Sequence, residues 1–191
     1  MNVQGILPFT RTLLQSVCHE GEIAVDGTCG NGHDTLFLAN LVGETGHVYG
    51  FDVQEQAIAV TTERLEAASL LKRVTLFQQG HHQLEHLLPA DAKGRVACAV
   101  FNLGYLPGSD KAIVTKGETT ILAVKQLLTY LKEGGIIVLV IYHGHEGGRE
   151  EKEAVLQFAR NLPQKEAHVL QYGFINQSNT PPFIVAIEKR G

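Results

Sequence analysis

The sequence predicts a doubly wound α/β fold, with a mostly parallel seven-stranded sheet closed by a C-terminal antiparallel hairpin. Three observations carry this expectation. Continuous apolar runs of strand length alternate with amphipathic stretches over residues 23–161, the pattern of parallel strands buried on both faces and joined by crossover helices. Only residues 176–182 separate the last two strand-like runs, too few for a helical crossover, so those runs pair antiparallel. Finally, 191 residues with 44% hydrophobic content and a net charge of −4 make a chain that folds as one domain and buries roughly 70% of its unfolded surface.

In chain order, residues 5–20 read as a helix ahead of the first strand, packed on the sheet's edge. Strands follow at 23–25, 48–51, 74–77, 96–101 and 136–142, each rich in Val, Ile or Phe. The helical spacings between them fall at 35–41, 56–70, 119–131 and 150–161, and the right-handed crossover rule winds them onto both faces. Residues 168–175 and 183–187 form the terminal hairpin. The whole chain, 1–191, reads as a single domain with no repeat, linker or low-complexity segment.

Composition excludes several classes. No apolar stretch approaches the ~20 residues of a membrane-spanning helix, and the N-terminus lacks a signal-peptide pattern, so no membrane association is expected. Cys18, Cys29 and Cys98 form no C-x-x-C pair, which fits a reduced, cytoplasmic setting. The acidic balance argues against non-specific coating of nucleic acid but leaves room for a local basic patch.

The first strand runs into Asp26-Gly-Thr-Cys-Gly-Asn-Gly-His-Asp-Thr35. Gly30 and Gly32 permit a tight turn and close backbone approach to a ligand, and the following helix presents free N–H groups. Twenty residues after Gly32, the second strand ends in Asp52, where a carboxylate can accept both hydroxyls of a ribose. The dinucleotide fingerprint needs a third glycine, but Thr35 stands there. Asp26 before the loop would repel a pyrophosphate and welcome a cationic aminoacyl group. These features favour S-adenosylmethionine over NAD. The pattern resembles the first two motifs of class I S-adenosylmethionine-dependent methyltransferases, Rossmann-like enzymes with a similar C-terminal hairpin. The resemblance implies that Asp26, Gly30, Asn31 and Gly32 line the methionine end of the cofactor, with Asp52 at its ribose and Gln54 at its adenosine. It puts His33, His81 and His82 in the same pocket, and Gln79 where many members carry an acid for the adenine amine.

The fourth strand ends at Asn102-Leu-Gly-Tyr-Leu-Pro107, at the carboxyl edge where parallel sheets bind ligands. Asn102-Leu-Gly-Tyr105 resembles the Asn-Pro-Pro-Tyr motif of methyltransferases acting on exocyclic amines, with both prolines replaced. The Asn102 side-chain oxygen and the Leu103 carbonyl can accept two amine hydrogens, and the Tyr105 ring can stack on the acceptor. The sulfonium already activates the methyl, so alignment supplies much of the catalysis.

Other residues carry two readings. Tyr142 and His143 lie on the active face and either orient the acceptor, take its proton, or pack on the sheet. His82 and His86 have helical spacing, and His143 and His145 flank Gly144, but no third ligand follows, so no metal is expected. Cys29 reads as a small loop residue, without a basic partner to activate it. Lys111, Lys116 and Arg149, with Arg11 and Lys152, either contact substrate phosphates or form solvated faces.

The glycine loop, Asn102-Leu-Gly-Tyr-Leu-Pro107, Glu118-Thr-Thr120, Phe174-Ile-Asn-Gln177 and Pro181-Pro182 together resemble a small bacterial family long described as rRNA methylases and since tied to the tRNA wobble uridine. The resemblance spans residues 10–189 or so. It implies N-methylation of 5-aminomethyl-2-thiouridine in the tRNA anticodon arm, and a homodimer is the expected assembly. An rRNA methyltransferase, a small-molecule amine methyltransferase and a non-catalytic RNA-binding or cofactor-sensing module remain alternatives.

Overall fold

The structure is a computed structural model that describes residues 2–106 and 114–191. Among those residues, seven strands form one sheet in the order β3-β2-β1-β4-β5-β7-β6. They are β1 (Ile23–Asp26), β2 (His47–Phe51), β3 (Val74–Phe77), β4 (Val96–Leu103), β5 (Leu131–Ile141), β6 (Ala167–Tyr172) and β7 (Phe183–Lys189). The first five run parallel; β7 inserts antiparallel between β5 and β6. The chain winds outward from β1 to β3, then returns to β4 on the other side of β1. That reversal opens a crevice at the carboxyl ends of β1 and β4.

Among the described residues, six α-helices cover the faces: α1 (Ile6–Val17), α2 (His33–Leu41), α3 (Glu55–Ala67), the single-turn α4 (Leu84–Leu87), α5 (Gly117–Tyr130) and α6 (Gly148–Arg160). The strands sort their side chains by the period of two expected of a pleated sheet. Ile136, Val138 and Val140 of β5 join the core under α1, α2 and α3, whereas Ile137, Leu139 and Ile141 join the core under α4, α5 and α6. Both sides of β5 are thus sealed.

Three features differ from the sequence expectation. The helix α1 lies across β5, β4 and β7 rather than at the sheet's edge. Helices α2 and α3 cover only the β1–β3 half of that face, so Leu14 and the α1 apolar stripe fill the uncovered half. The helix α4, a single turn flanked by 3-10 turns, is too short to show helical periodicity. Strand β4 extends through Leu103, which carries Asn102 onto the last ladder positions opposite Val140.

Candidate active site

A cavity of ≈ 810 Å³ opens at the carboxyl edge of the sheet. Its wall comprises residues 27–31 after β1, 52–54 after β2, 79–82 after β3, Asn102, Gly104 and Tyr105 at the end of β4, and residues 142–145 after β5. Leu7 and Arg11 of α1 complete the rim. Five consecutive parallel strands therefore deliver their C-terminal loops to one space.

The glycine loop is held from three sides. Asp26 at the end of β1 is fully buried beneath it and accepts hydrogen bonds from the Thr28 N–H (3.1 Å) and the Thr35 hydroxyl (2.6 Å). Burial, reinforced by the charge of Asp34, pushes its carboxyl up to about 7. Asp52 accepts from the Gly30 N–H at 2.9 Å and the Gln54 N–H at 3.0 Å. From α3, Arg64 Nε donates to the Asn31 carbonyl at 2.7 Å and the Thr61 hydroxyl to the Gly30 carbonyl at 3.2 Å. Gly32 adopts φ +75°, and a Cβ there would lie 2.9 Å from Thr61 Oγ1, so glycine serves both the left-handed turn and the contact with α3.

Asp26 and Gly32 were expected to line the ligand pocket, but neither reaches the cavity wall. They brace the loop from behind. Gly30, Asn31, His33, Asp52, Gln54, Gln79, His81 and His82 do reach it. The Gln79 amide oxygen, expected to accept an adenine amine, already accepts from Gln83 Nε2 at 3.0 Å, which leaves it one further lone pair. His81 is buried, with Nδ1 3.0 Å from the Gly27 carbonyl, so Nδ1 carries the proton. Burial holds its pKa down at about 4, and its neutral Nε2 has no hydrogen-bond partner among the described residues.

Asn102 is held at both ends. Its backbone N–H donates to Thr28 Oγ1 at 2.7 Å and its side-chain Nδ2 to Asp34 Oδ2 at 2.8 Å, which leaves Oδ1 as the acceptor. The Leu103 carbonyl, expected to accept an amine hydrogen, already accepts the Tyr142 N–H at 2.9 Å and keeps a second lone pair. The Leu103 side chain is fully buried in the core. With leucine where the resembling motif has proline, β4 simply continues its ladder to β5. Gly104, at φ +154°, then turns the chain out. Its N–H donates to Thr115 Oγ1 at 2.9 Å, and its carbonyl accepts the Thr115 N–H at 3.0 Å. The Thr115 hydroxyl donates in turn to Glu151 Oε2 at 2.7 Å, and the Thr120 hydroxyl to Oε1 at 3.0 Å. Burial raises the Glu151 carboxyl, opposed by those two hydrogen bonds.

The Tyr105 ring is partly exposed and meets His145 edge-on, 5.7 Å between centroids. Tyr142 lines the cavity, and burial with the Asp34 charge raises its phenol, so it stays protonated at neutral pH. His143 lies edge-on to Phe183 at 5.6 Å, and burial lowers its pKa. Lys116 reaches the cavity rim, whereas Arg149 is exposed, paired with Glu153 at 3.1 Å and absent from the wall. Lys111 lies outside the described residues. Arg11 stacks over Phe37, 5.1 Å from the ring centroid. Among the described residues, no group of three or more His, Cys, Asp or Glu side chains is arranged to hold a metal ion.

Sequence reasoning passed over Asp34, Thr28, Arg64 and Glu151. Asp34 and Asn102 lie 68 positions apart and Glu151 and Thr115 lie 36 apart, so no local spacing could have paired them.

The cavity fits S-adenosylmethionine on its own observations. The Asp52 carboxylate just after β2 and the unpartnered acceptor on His81 suit a nucleoside bearing positive charge. The reversed β7 and the missing third glycine set the fold apart from dinucleotide-binding sheets. What they leave is the class I S-adenosylmethionine-dependent methyltransferase. A family model described as "Putative rRNA methylase" matches residues 48–188, and the chain belongs to that family.

Similar proteins agree. The chain is 38% identical over 183 residues to "tRNA (mnm(5)s(2)U34)-methyltransferase, chloroplastic" of Arabidopsis thaliana, covering 92% of this chain and 66% of that protein. It thus spans just under two thirds of that relative's length. A crystal structure of a "putative rRNA-methylase" from Clostridium thermocellum superposes with a TM-score of 0.94 at 45% identity, covering 99% of this chain and 100% of that one. A "putative methyltransferase" from Streptococcus mutans, in complex with SAH, superposes at 0.89 with 39% identity, covering 98% and 99%.

Proposed function

We propose that the protein N-methylates the primary amine of 5-aminomethyl-2-thiouridine at the tRNA wobble position, giving 5-methylaminomethyl-2-thiouridine. The observation that carries this reading is the fixed Asn102 amide: its nitrogen is committed to Asp34, so its oxygen is presented as an acceptor in the cavity that the glycine loop also lines. S-adenosylmethionine, when bound, supplies a methyl group activated by positive sulfur. Asp52 and Gln54 hold its nucleoside, and residues 27–31 its amino-acid end. Asn102 Oδ1 orients the amine hydrogens, Tyr105 stacks on the base, and Tyr142 and His143 shape the far wall. The 38% identity to a tRNA (mnm(5)s(2)U34)-methyltransferase supports the tRNA acceptor.

On this reading the partner is the anticodon arm, met by Arg11 and Lys116 at the rim. The protein works in the cytoplasm as one domain, and a homodimer widens the RNA-facing surface. No helix among the described residues is long and apolar enough to cross a membrane. One observation favours a second reading: the net charge of −4 suits a small-molecule amine better than RNA. The deciding experiment transfers labelled methyl to tRNA lacking the terminal methyl, followed by nucleoside analysis. Label in 5-methylaminomethyl-2-thiouridine supports the wobble reading; label only on added small amines replaces it.

A further inference from the structure

Asp34 occupies the first turn of α2, lines the cavity and accepts the Asn102 side-chain N–H at 2.8 Å. Its charge reaches both Tyr142 and the buried Asp26. The titratable carboxyl, imidazole and phenol groups that share its cavity wall are Asp52 after β2, His33 beside it on α2, His81 and His82 after β3, Tyr105 after β4, and Tyr142, His143 and His145 after β5. Asp26, at the end of β1, lies beneath the loop. Among the described residues, the cations on the cavity wall are Arg11 of α1 and Lys116 before α5. None of the ion pairs among the described residues involves Asp26, Asp34 or Asp52. A carboxylate held beside the acceptor motif, with no ion pair among the described residues, is suited to a ligand cation.

We infer that Asp34 is the counter-ion of the acceptor: it selects a primary alkylammonium over a neutral base amine or hydroxyl, and it takes the amine's proton. This inference rests on the N-methyltransferase reading above. Exocyclic base amines are neutral and need no such partner. An alkylamine resembles a lysine side chain, whose pKa is near 10.4, and arrives as a cation. Losing its hydration in a cavity is costly unless a carboxylate meets it. Once paired, one N–H bond breaks as an O–H bond forms on the Asp34 carboxylate, and the electron pair stays on nitrogen. The products are a neutral amine and a neutral carboxylic acid, so both charges disappear together. Asn102 Oδ1 then accepts an N–H of the neutral amine and leaves the lone pair free. After product departs, Asp34 returns the proton to water.

The test uses the full chain and two anticodon stem-loop RNAs, with S-adenosylhomocysteine for binding and S-adenosylmethionine for turnover. One carries 5-aminomethyl-2-thiouridine and the other its neutral 5-hydroxymethyl counterpart. The wild-type protein should prefer the amine by roughly tenfold or more, as expected for a hydrogen bond to a charged group. Asp34→Asn should abolish that preference, lower kcat/KM by about a hundredfold or more, and leave S-adenosylhomocysteine affinity within about threefold, which also reports an intact fold. Asp34→Glu should restore part of the preference. Retained amine preference in Asp34→Asn, or a loss confined to cofactor affinity, overturns the inference. If the wild-type protein binds and methylates neither RNA, the wobble reading fails separately. Free n-butylamine as methyl acceptor then decides Asp34: a wild-type advantage over Asp34→Asn supports the counter-ion, and equal rates overturn it.

Discussion

Gly30 donates its backbone N–H to Asp52 at 2.9 Å, so the loop after β1 and the carboxylate after β2 form one unit. Asp52→Ala should therefore weaken S-adenosylhomocysteine by about 1.5–3 kcal/mol, the cost of losing hydrogen bonds to a charged group. Asp52→Asn, which keeps a single acceptor oxygen, should fall between. Titration calorimetry reads both, and an unchanged dissociation constant for Asp52→Ala would remove the residue from the site.

Asn102→Ala should lower turnover sharply with little change in cofactor affinity, because its backbone bond to Thr28 survives while the amide is lost. Tyr105→Phe should be mild and Tyr105→Ala should cost about 1–3 kcal/mol if a base stacks on the ring. Single-turnover rates beside S-adenosylhomocysteine binding separate the outcomes. A loss appearing only in cofactor affinity would move Asn102 to the cofactor side.

The buried Asp26 carboxyl, raised from 3.8 to about 7, makes folding favour its protonated form. Its contribution to stability is full below pH 4 or so and is lost as pH rises towards 7, to a limit on the order of 4 kcal/mol. Asp26→Asn should flatten this part of the profile, and Glu151, also raised, should retain a weaker fall in the same direction. Urea denaturation of both proteins at pH 5 and pH 8 gives the difference; identical slopes would place the Asp26 carboxyl outside the titration.

Glu151→Ala should destabilise by about 1–3 kcal/mol, because the Thr115 and Thr120 hydroxyls lose their acceptor. Thr115→Val removes the acceptor of the Gly104 N–H and should lower turnover while sparing cofactor binding. Thermal melts and initial rates check the pair. Full activity in Thr115→Val would mean that Gly104 holds its turn unaided.

If tRNA is the acceptor, its binding should weaken with salt by about 0.7 logarithmic units per phosphate contact on single-stranded segments. Arg11→Ala and Lys116→Ala should each make that slope shallower. Arg149→Ala should change it less, since Arg149 is already paired with Glu153 away from the cavity. Equal slopes in all three variants would place the RNA on another face.

What the sequence made legible follows from locality. The five parallel strands announced themselves as short apolar runs, and Gly30, Gly32 and Asp52 carried a spacing that chemistry could interpret. The position of α1 was not legible, because it depends on which part of a face α2 and α3 leave bare. Nor was the orientation of Asp26: a carboxylate next to a glycine loop can face a ligand or lie beneath the loop, and only Thr28 and Thr35 together decide. The Asp34–Asn102 and Glu151–Thr115 pairs join distant segments.

Strand β7 lies between β5 and β6, which gives the order of synthesis a structural meaning. While a ribosome extends the chain, β6 emerges before the strand that must separate it from β5. The outer edge of β5, with its unpaired N–H and C=O groups, stays open until residues 183–189 are made. A nascent chain halted between β6 and β7 would carry an apolar edge available for mispairing with β6 or with another chain. Strand β7 thus sets the order of assembly: β6 can join the sheet only after residues 183–189 have paired with the edge of β5.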